Sequence, residues 1–392
     1  MGWDTFGFLS SRGSAPARNG EGSGHACLFD GFERPQKALS AAEVAATGKT
    51  LRAIHHKTHG DLDKLEMVDV PDPQPKNNEV RIKVAACGLN HLDLWTLRGI
   101  EGVTIPLPHI PGSDIAGTID QVGEGVGAWK AGDRVVVNPS LWCGTCEYCV
   151  RGDINYCVKY GIIGEHVDGG LAQLFKCPTK HLLRVPEGFA FEAAAAAALA
   201  YQTAWRMVVV RGGLKAGEWV LVNGAGGGVA TAAIQIAKLG GAHVIATTST
   251  EEKAKRAREV GADYVFNYKA QEFDREVYTM TDKRGVDLII DNVGDATWKK
   301  NLRALARGGR IAICGATSGN NPPAMINMLY WKNIAIHGST MGTWHDFERV
   351  MGLVFSGKLK PVVDQFVSIE RYRDAFARLD KGEQFGKIVL QP

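Results

Sequence analysis

From Glu218 onward the chain alternates in a way that few folds can accommodate. "EWVLVNGAGGGVATAAIQIAKLGGAHVIATTSTEEKAKRAREVGADYVFNY" reads as strand, helix, strand, helix, strand. "VDLIIDNVG", "ATWKKNLRALARGG" and "RIAICGATSG" continue the same alternation. Apolar runs of strand length, each followed by an amphipathic helix, predict a parallel sheet with helices on both faces. The fold class is therefore α/β, with a doubly wound parallel sheet at its centre. After "NIAIHGSTMG" a helix is expected around Phe347 to Phe355, then a closing strand in "GKIVLQP".

Within the first of these units, small residues stand at Gly224, Gly227 and Ala230. The first allows a tight turn, the second lets backbone approach a pyrophosphate, and the third lets helix pack closely on strand. Backbone N–H groups at the helix start, at Gly228 and Val229, would then meet the phosphates with help from the helix dipole. The unit reads as a Rossmann dinucleotide-binding turn. A site for NAD usually ends the second strand with Asp or Glu, which bonds the adenosine ribose. Here Thr248 and Ser249 hold that place, so a 2′-phosphate meets no repulsion, and Lys253 and Tyr268 are candidates to receive it. NADPH is expected in preference to NADH. Ser249 with Glu252 three residues later also fits a helix capping box, and Lys253 also fits a solvated charge. Asn292 and Gly294, in "DNVGD" after a strand end, are expected on the nicotinamide side.

Ahead of Phe191 the pattern is different. "TLRAIHHKTHG", "EVRIKVAACGLN", "DIAGTIDQVG", "GDRVVVNPS" and "HLLRVPEG" are short apolar runs punctuated by Gly and Pro. They suggest a barrel-like β domain. Inside it lies "CGTCEYCVRGDINYC", whose cysteines Cys143, Cys146, Cys149 and Cys157 can supply four thiolates to one ion. Zinc suits such a set, and a site closed by four protein ligands leaves no position for substrate, so the expected zinc is structural. An iron–sulfur cluster is the minor alternative.

Composition narrows the class further. The 392 residues are too many for one ordinary core. A net charge of +3 gives no argument for nucleic acid. No apolar run reaches membrane-spanning length, the nearest being the alanine block from Ala193 to Ala200. The remaining cysteines, Cys27, Cys87, Cys177 and Cys314, are scattered, which favours a reducing, cytoplasmic setting. Residues 1–49 contain the Gly/Ser-rich "SSRGSAPARNGEGSG" and one possible short helix, "ALSAAEVAA", and read as a flexible extension.

Taken together, the four-cysteine lobe, "PGSDIAGTIDQVGEGVGAWKAGDRVVV", "GEHVDGGLAQLF", the glycine turn and the closing "FGKIVL" resemble the medium-chain dehydrogenase/reductase superfamily. This resemblance implies a GroES-like β-barrel catalytic domain over 50–198, with the zinc lobe at 143–157. A Rossmann domain would occupy 199–344, residues 345–392 would return to the catalytic domain, and a homodimer would form through the Rossmann sheet. Zinc alcohol dehydrogenases of this group also hold a catalytic zinc. At the corresponding ligand places this chain has Asn90, Ser113 and Leu199, and Leu92 replaces the proton-relaying hydroxyl. Cys87, His91, His109 and Asp114 are the nearby residues of ligating type that could rescue a site.

Without that zinc, alcohol oxidation loses its main support, because nothing acidifies the hydroxyl. Hydride addition to a conjugated acceptor needs only hydrogen-bond donors for the oxygen that gathers charge. The segment "GLNHLD" is also similar to the Asn-x-x-Asp stretch of the group's quinone and enoyl reductases. The expected function is NADPH-dependent reduction of a quinone or an α,β-unsaturated carbonyl compound, a small-molecule substrate with no nucleic-acid or membrane partner. Asn90, His91, Ser113 and Tyr201 are the candidate donors. The blander role for Tyr201 is packing at the domain boundary, and for Asn90 fixing a turn. The rival functions are a zinc-dependent alcohol dehydrogenase and a nucleotide-binding regulatory protein without turnover.

Overall fold

The computed structural model describes residues 50–392. The flexible extension and the short helix expected before Thr50 lie outside the described residues.

A hairpin of β1 (Thr50–His55) and β2 (Glu66–Pro71) opens the described chain. Then come β3 (Glu79–Gly88), β4 (Asp114–Val122), β5 (Arg134–Val137), the short pair β6 (Ser140–Leu141) and β7 (Gly161–Ile162), β8 (Leu174–Pro178) and β9 (Leu182–Arg184). The second region supplies β10 (Trp219–Val222), β11 (His243–Thr248), β12 (Tyr264–Asn267), β13 (Val286–Asp291), β14 (Leu305–Ile313) and β15 (Ala335–Gly338). Two strands close the chain, β16 (Val363–Ser368) and β17 (Lys387–Gln391).

The second region forms one parallel sheet of order β12-β11-β10-β13-β14-β15. That is the order of a Rossmann sheet, and its switch point lies between β10 and β13. The other large sheet runs β16-β17-β3-β4-β5-β9, with β8 also on β3. β17 joins it antiparallel to β3, pairing Val389 with Gly88 and Leu390 with Cys87. The last strand of the chain thus completes the sheet of the first half.

Two local differences from the sequence reading have simple causes. β14 already begins at Leu305, so the helix expected through "ATWKKNLRALARGG" stops at Ala304. Gly308 and Gly309 cannot sustain a helix, and the strand uses that freedom, with Gly308 at φ 73. The helix Phe191–Trp205 also continues into a π-type turn, Arg206–Arg211. Together they make 21 apolar-rich residues, long enough to cross a membrane by length and composition, which the alanine block alone is not. Of its most apolar 18 residues 78% are buried within the molecule, and the segment is the central core helix.

That helix is the seam. Ala194 to Ala198 are fully buried, and small side chains let neighbouring backbones come close on every side. The core around it is continuous, from Ala86, Ala116 and Val136 in the barrel to Val220, Val222 and Ile234 in the Rossmann half.

Candidate active site

The segment "GLNHLD" leaves β3 and starts a helix, His91–Arg98, with Asn90 at its N-cap. Asp93 ties this corner together. One carboxylate oxygen accepts from Asn90 N–H at 2.7 Å and the other from Gly112 N–H at 2.9 Å. Asp93 is fully buried, and burial lifts its carboxyl to about 7 against the pull of those two N–H groups and of Lys387.

The Asn90 side chain is not free. Its Nδ2 donates to Asp114 Oδ2 at 2.9 Å, and its Oδ1 accepts from Lys387 Nζ at 2.5 Å. Lys387 also pairs with Asp114 Oδ2 at 2.7 Å, and Asp114 Oδ1 accepts from Leu199 N–H at 2.6 Å. Lys387 is 4% exposed and Asp114 is fully buried. An ammonium from the last strand therefore sits among the residues around positions 90 and 199. An amide can accept from one partner and still donate with its remaining N–H, so Asn90 keeps one donor for a ligand.

Ser113 precedes Asp114. Its side chain is fully buried and its Oγ has no hydrogen-bond partner. His91 is half-buried, with its ring edge-on to Trp95 at 6.1 Å, and burial lowers its pKa. Tyr201 is elsewhere. Its hydroxyl donates to Lys360 O at 3.0 Å and accepts from Gln235 Nε2 at 2.9 Å, so it packs at the domain boundary and is not brought to the other three. The rescue residues do not converge either. Asp114 is committed to Lys387, His109 Nε2 donates to Gly164 O at 2.9 Å, and Cys87 lies buried beneath Gly112.

Across the cleft, Trp95, Arg98 and Ile100 face Gly315, Gly319 and Asn320 from the Rossmann half. The glycine turn lies beside it. Gly224 takes φ 69, and Gly227 N–H closes onto Gly224 O at 3.0 Å before the helix Gly228–Leu239 begins. A side chain on Gly227 would meet nothing nearer than 3.7 Å, so the space in front of the helix start is open, as a pyrophosphate requires. Ala230 is buried against the sheet. The residues fit a dinucleotide. On the far side, Asn292 stands 3.8 Å from where a Gly224 side chain would begin. Gly294, at φ 87, caps the following helix.

Under the turn, Asn223 Nδ2 bonds Asp291 Oδ1 (3.0 Å) and Asn301 Oδ1 (2.8 Å). Thr247 Oγ1 donates to Asn223 Oδ1 (3.1 Å) and accepts from Gly224 N–H (3.2 Å). This buried network pins the carboxyl ends of β10, β11 and β13 in one register. Beyond β11, the helix Glu251–Glu259 is capped by Thr250, which accepts from Lys253 N–H, and not by Ser249. Ser249 is left half-buried beyond the strand end. Lys253 reaches back to Gly382 O, with its Nζ 3.1 Å from where a Gly226 side chain would stand. Tyr268 is exposed, and its N–H bonds Thr248 O at 2.9 Å.

The four cage sulfurs all lie within 4.8 Å of one another. Cys146 and Cys149 are 3.5 Å apart and Cys143 and Cys149 are 3.8 Å apart. Four sulfurs at about 2.3 Å from a tetrahedral zinc stand about 3.8 Å apart, so the set fits. Backbone N–H groups of Thr145 and Cys146 point at Cys143 Sγ, and those of Cys143 and Lys159 point at Cys157 Sγ. These donors favour thiolate, as an ion there would need. Among the described residues no second group of three or more His, Cys, Asp or Glu brings its ligand atoms so close.

Residues 76–187 match the alcohol dehydrogenase GroES-like domain model, and residues 228–356 match the zinc-binding dehydrogenase model. The chain is 35% identical to an acryloyl-coenzyme A reductase of Sulfurisphaera tokodaii, over 85% of this chain and 98% of that one. The chain belongs to the medium-chain dehydrogenase/reductase superfamily. A human quinone oxidoreductase is 31% identical across 88% of this chain and 99% of its own. A crystal structure of an NAD-dependent alcohol dehydrogenase superposes with a TM-score of 0.84 at 41% identity, covering 87% of this chain and 99% of that one. This medium-chain dehydrogenase/reductase is thus a nicotinamide-dependent oxidoreductase with the GroES-like and Rossmann architecture that the sequence implies.

Several site residues escaped the sequence reading. Lys387 was legible only as part of "FGKIVL", although a lysine opening a buried apolar strand is itself a signal of a buried partner. Trp95 gave no signal, because an aromatic on a short helix reads first as core.

Proposed function

We propose that the chain is an NADPH-dependent reductase of α,β-unsaturated carbonyl compounds or quinones, with one structural zinc held by Cys143, Cys146, Cys149 and Cys157. The observation that carries this reading is the Asn90–Asp114–Lys387 triad. An amide stands at one of the places where a catalytic metal's ligands would be expected, with an ammonium bonded to it, and the pair leaves hydrogen-bond donors to polarise an acceptor oxygen.

Bound along the glycine turn, NADPH would supply the hydride. The open helix start at Gly227, Gly228 and Val229 suits its pyrophosphate, while Ser249, Lys253 and Tyr268 suit the adenosine end. Asn292 and Gly294 would border the nicotinamide. Asn90, itself polarised by Lys387, would donate its remaining N–H to the acceptor oxygen, with Ser113 Oγ and His91 as further candidates. Relatives that reduce acryloyl-coenzyme A and quinones support a conjugated acceptor.

The 41% identity to an NAD-dependent alcohol dehydrogenase favours a second reading, alcohol oxidation with NAD. One panel separates the two: oxidation of NADPH and NADH with enoyl thioesters, enones and quinones, beside reduction of NAD by secondary alcohols. The reductase reading expects the first set to turn over and the alcohols not to, and chelator-sensitive alcohol oxidation would overturn it. A protein that binds NADPH tightly and turns over nothing would instead be the regulatory rival. We further propose a homodimer joined along β15, whose exposed Ile336 lies near exposed Ile326, Tyr330 and Trp331. A cytoplasmic, reducing setting suits the free cage thiols.

A further inference from the structure

The loop after β7 folds around the segment that carries Ser113. A side chain on Gly164 would stand within 2.9 Å of Gly112 backbone atoms, and one on Gly169 would stand 2.3 Å from Gly112 O. Gly170 N–H donates to Gly112 O at 2.8 Å. The backbones therefore touch at Gly112 and Gly164, and the residues that follow those two glycines are Ser113 and Glu165. Both end in buried oxygens that have no hydrogen-bond partner, Ser113 Oγ and Glu165 Oε2. Glu165 is 6% exposed.

A buried carboxyl with an idle oxygen is costly unless it stays neutral or meets a ligand. Among the described residues, the basic groups around Glu165 offer little relief. His166 Nδ1 is 3.8 Å from Oε1, but it already accepts Ile162 N–H. The Tyr160 hydroxyl pairs with Ser140 Oγ, and burial keeps that phenol neutral. Arg206 is spent on Asp346 and Tyr156, and His109 on Gly164 O. Burial alone lifts the Glu165 carboxyl to about 7. A carboxylic acid that holds its proton near neutral pH, on a loop whose backbone packs against the segment carrying Ser113, is equipped to give that proton away.

We propose that Glu165 is the general acid that protonates the α-carbon of the reduced acceptor. This rests on the enoyl branch of the reading above. The β-carbon of the acceptor takes the hydride given up by the reduced nicotinamide, and the π electrons move toward the α-carbon and the carbonyl oxygen. The new C–H bond at the α-carbon forms with the Glu165 proton, leaving a carboxylate that water reprotonates. A quinone gains its protons on oxygen, which exchanges them with water directly, so quinone reduction makes no such demand.

The test compares wild type with Glu165→Gln on an enoyl thioester and on a quinone, in D2O with product NMR. Expected is a loss of roughly 10²–10⁴-fold in enoyl reduction, with a much smaller loss on the quinone. The residual enoyl product should carry α-deuterium on both faces, where wild type places it on one. The wild-type enoyl rate should fall as pH rises through about 7. Equal losses on both acceptors, or one-faced deuteration retained in Glu165→Gln, would refute the assignment and leave the reductase reading standing. A wild type that reduces no conjugated carbonyl acceptor refutes both together. Infrared titration of the wild-type apoprotein covers the case in which the variant does not fold. There, with the glutamate carboxyls isotope-labelled so that Asp93 is not counted, a glutamic acid still protonated at pH 6 agrees with the assignment, and absence of any such acid overturns it.

Discussion

Lys387 and Asp114 carry the sharpest consequence of any side-chain pair here, because both charges are out of water and each is the other's compensation. Replacing one partner of a buried pair leaves the other uncompensated, at a cost of about 3–5 kcal/mol. Lys387→Met should therefore lose about that much in urea unfolding, while Lys387→Met with Asp114→Asn should recover most of it. Equal stability of the single and double variants would contradict the pairing. Glu165 gives a pH signature of the opposite kind. Its carboxyl is raised from 4.5 to about 7 in the folded state, so folding takes up a proton in that interval. Its contribution is full below pH 4.5 and is lost as pH rises toward 7, about 3 kcal/mol in all. Glu165→Gln should reduce the decline by that share in a plot of unfolding free energy against pH, leaving the part due to Asp93, whose buried carboxyl is also raised to about 7.

Among the elements, the helix Gly228–Leu239 meets the barrel at its first residue. A methyl on Gly228 would stand 2.7 Å from Lys387 Cδ and 3.3 Å from Ala200 Cβ. Gly228→Ala should push the lysine stem aside, which disturbs the pyrophosphate seat and Asn90 at once. Titration of NADPH fluorescence should show a dissociation constant raised by about tenfold or more, the equivalent of about 1.4 kcal/mol. The helix Trp344–Phe355 starts with a capping box, Thr343 Oγ1 accepting Asp346 N–H at 3.0 Å and Asp346 Oδ2 accepting Thr343 N–H at 2.9 Å. The same Asp346 oxygen takes Arg206 Nη1 at 2.9 Å, so the cap also anchors the π-type turn. Thr343→Ala should cost about 1 kcal/mol by thermal or urea unfolding. A much larger loss would mean that the Arg206 pair goes with it.

For the whole molecule, the zinc lobe and the Rossmann sheet are held by different means. The lobe's cage residues have little core of their own, with Val150 and Val158 exposed, whereas the parallel sheet is lined by Val220, Leu221, Ile245, Leu288 and Ile289, all fully buried. Elemental analysis should find one zinc per chain. Stripping it with a chelator under reducing conditions should expose the 143–157 segment to protease first, while helical circular dichroism from the Rossmann half persists. Loss of the whole fold in one step would argue that the lobe is integral to the barrel.

Period and spacing made much of this legible: the strand–glycine–helix turn, the parallel sheet and the four-cysteine cage are local patterns, and each resides in a short stretch of chain. Thr248 and Ser249 at the end of β11 could be read in the same way, since that place is fixed by counting along one βα unit. Residues that meet from distant parts of the chain were not legible. Lys387 lies almost 300 residues from Asn90 in sequence and touches it because β17 pairs with β3. Tyr201 shares with Asn90 the residue type of a candidate donor, but its direction on the central helix turns its hydroxyl toward Lys360. Glu165 is one acid among 42 Asp and Glu residues in the sequence, and only the packing of Gly164 on Gly112 brings its loop against the segment that carries Ser113. The amino-acid sequence alone determined the elements, the sheet class and the metal cage, because short-range periodicity and ligand spacing are properties of neighbouring residues. Tertiary structure decided which charges are buried together and which oxygens are left without partners, because desolvation depends on everything packed around a group and not on its place in the chain.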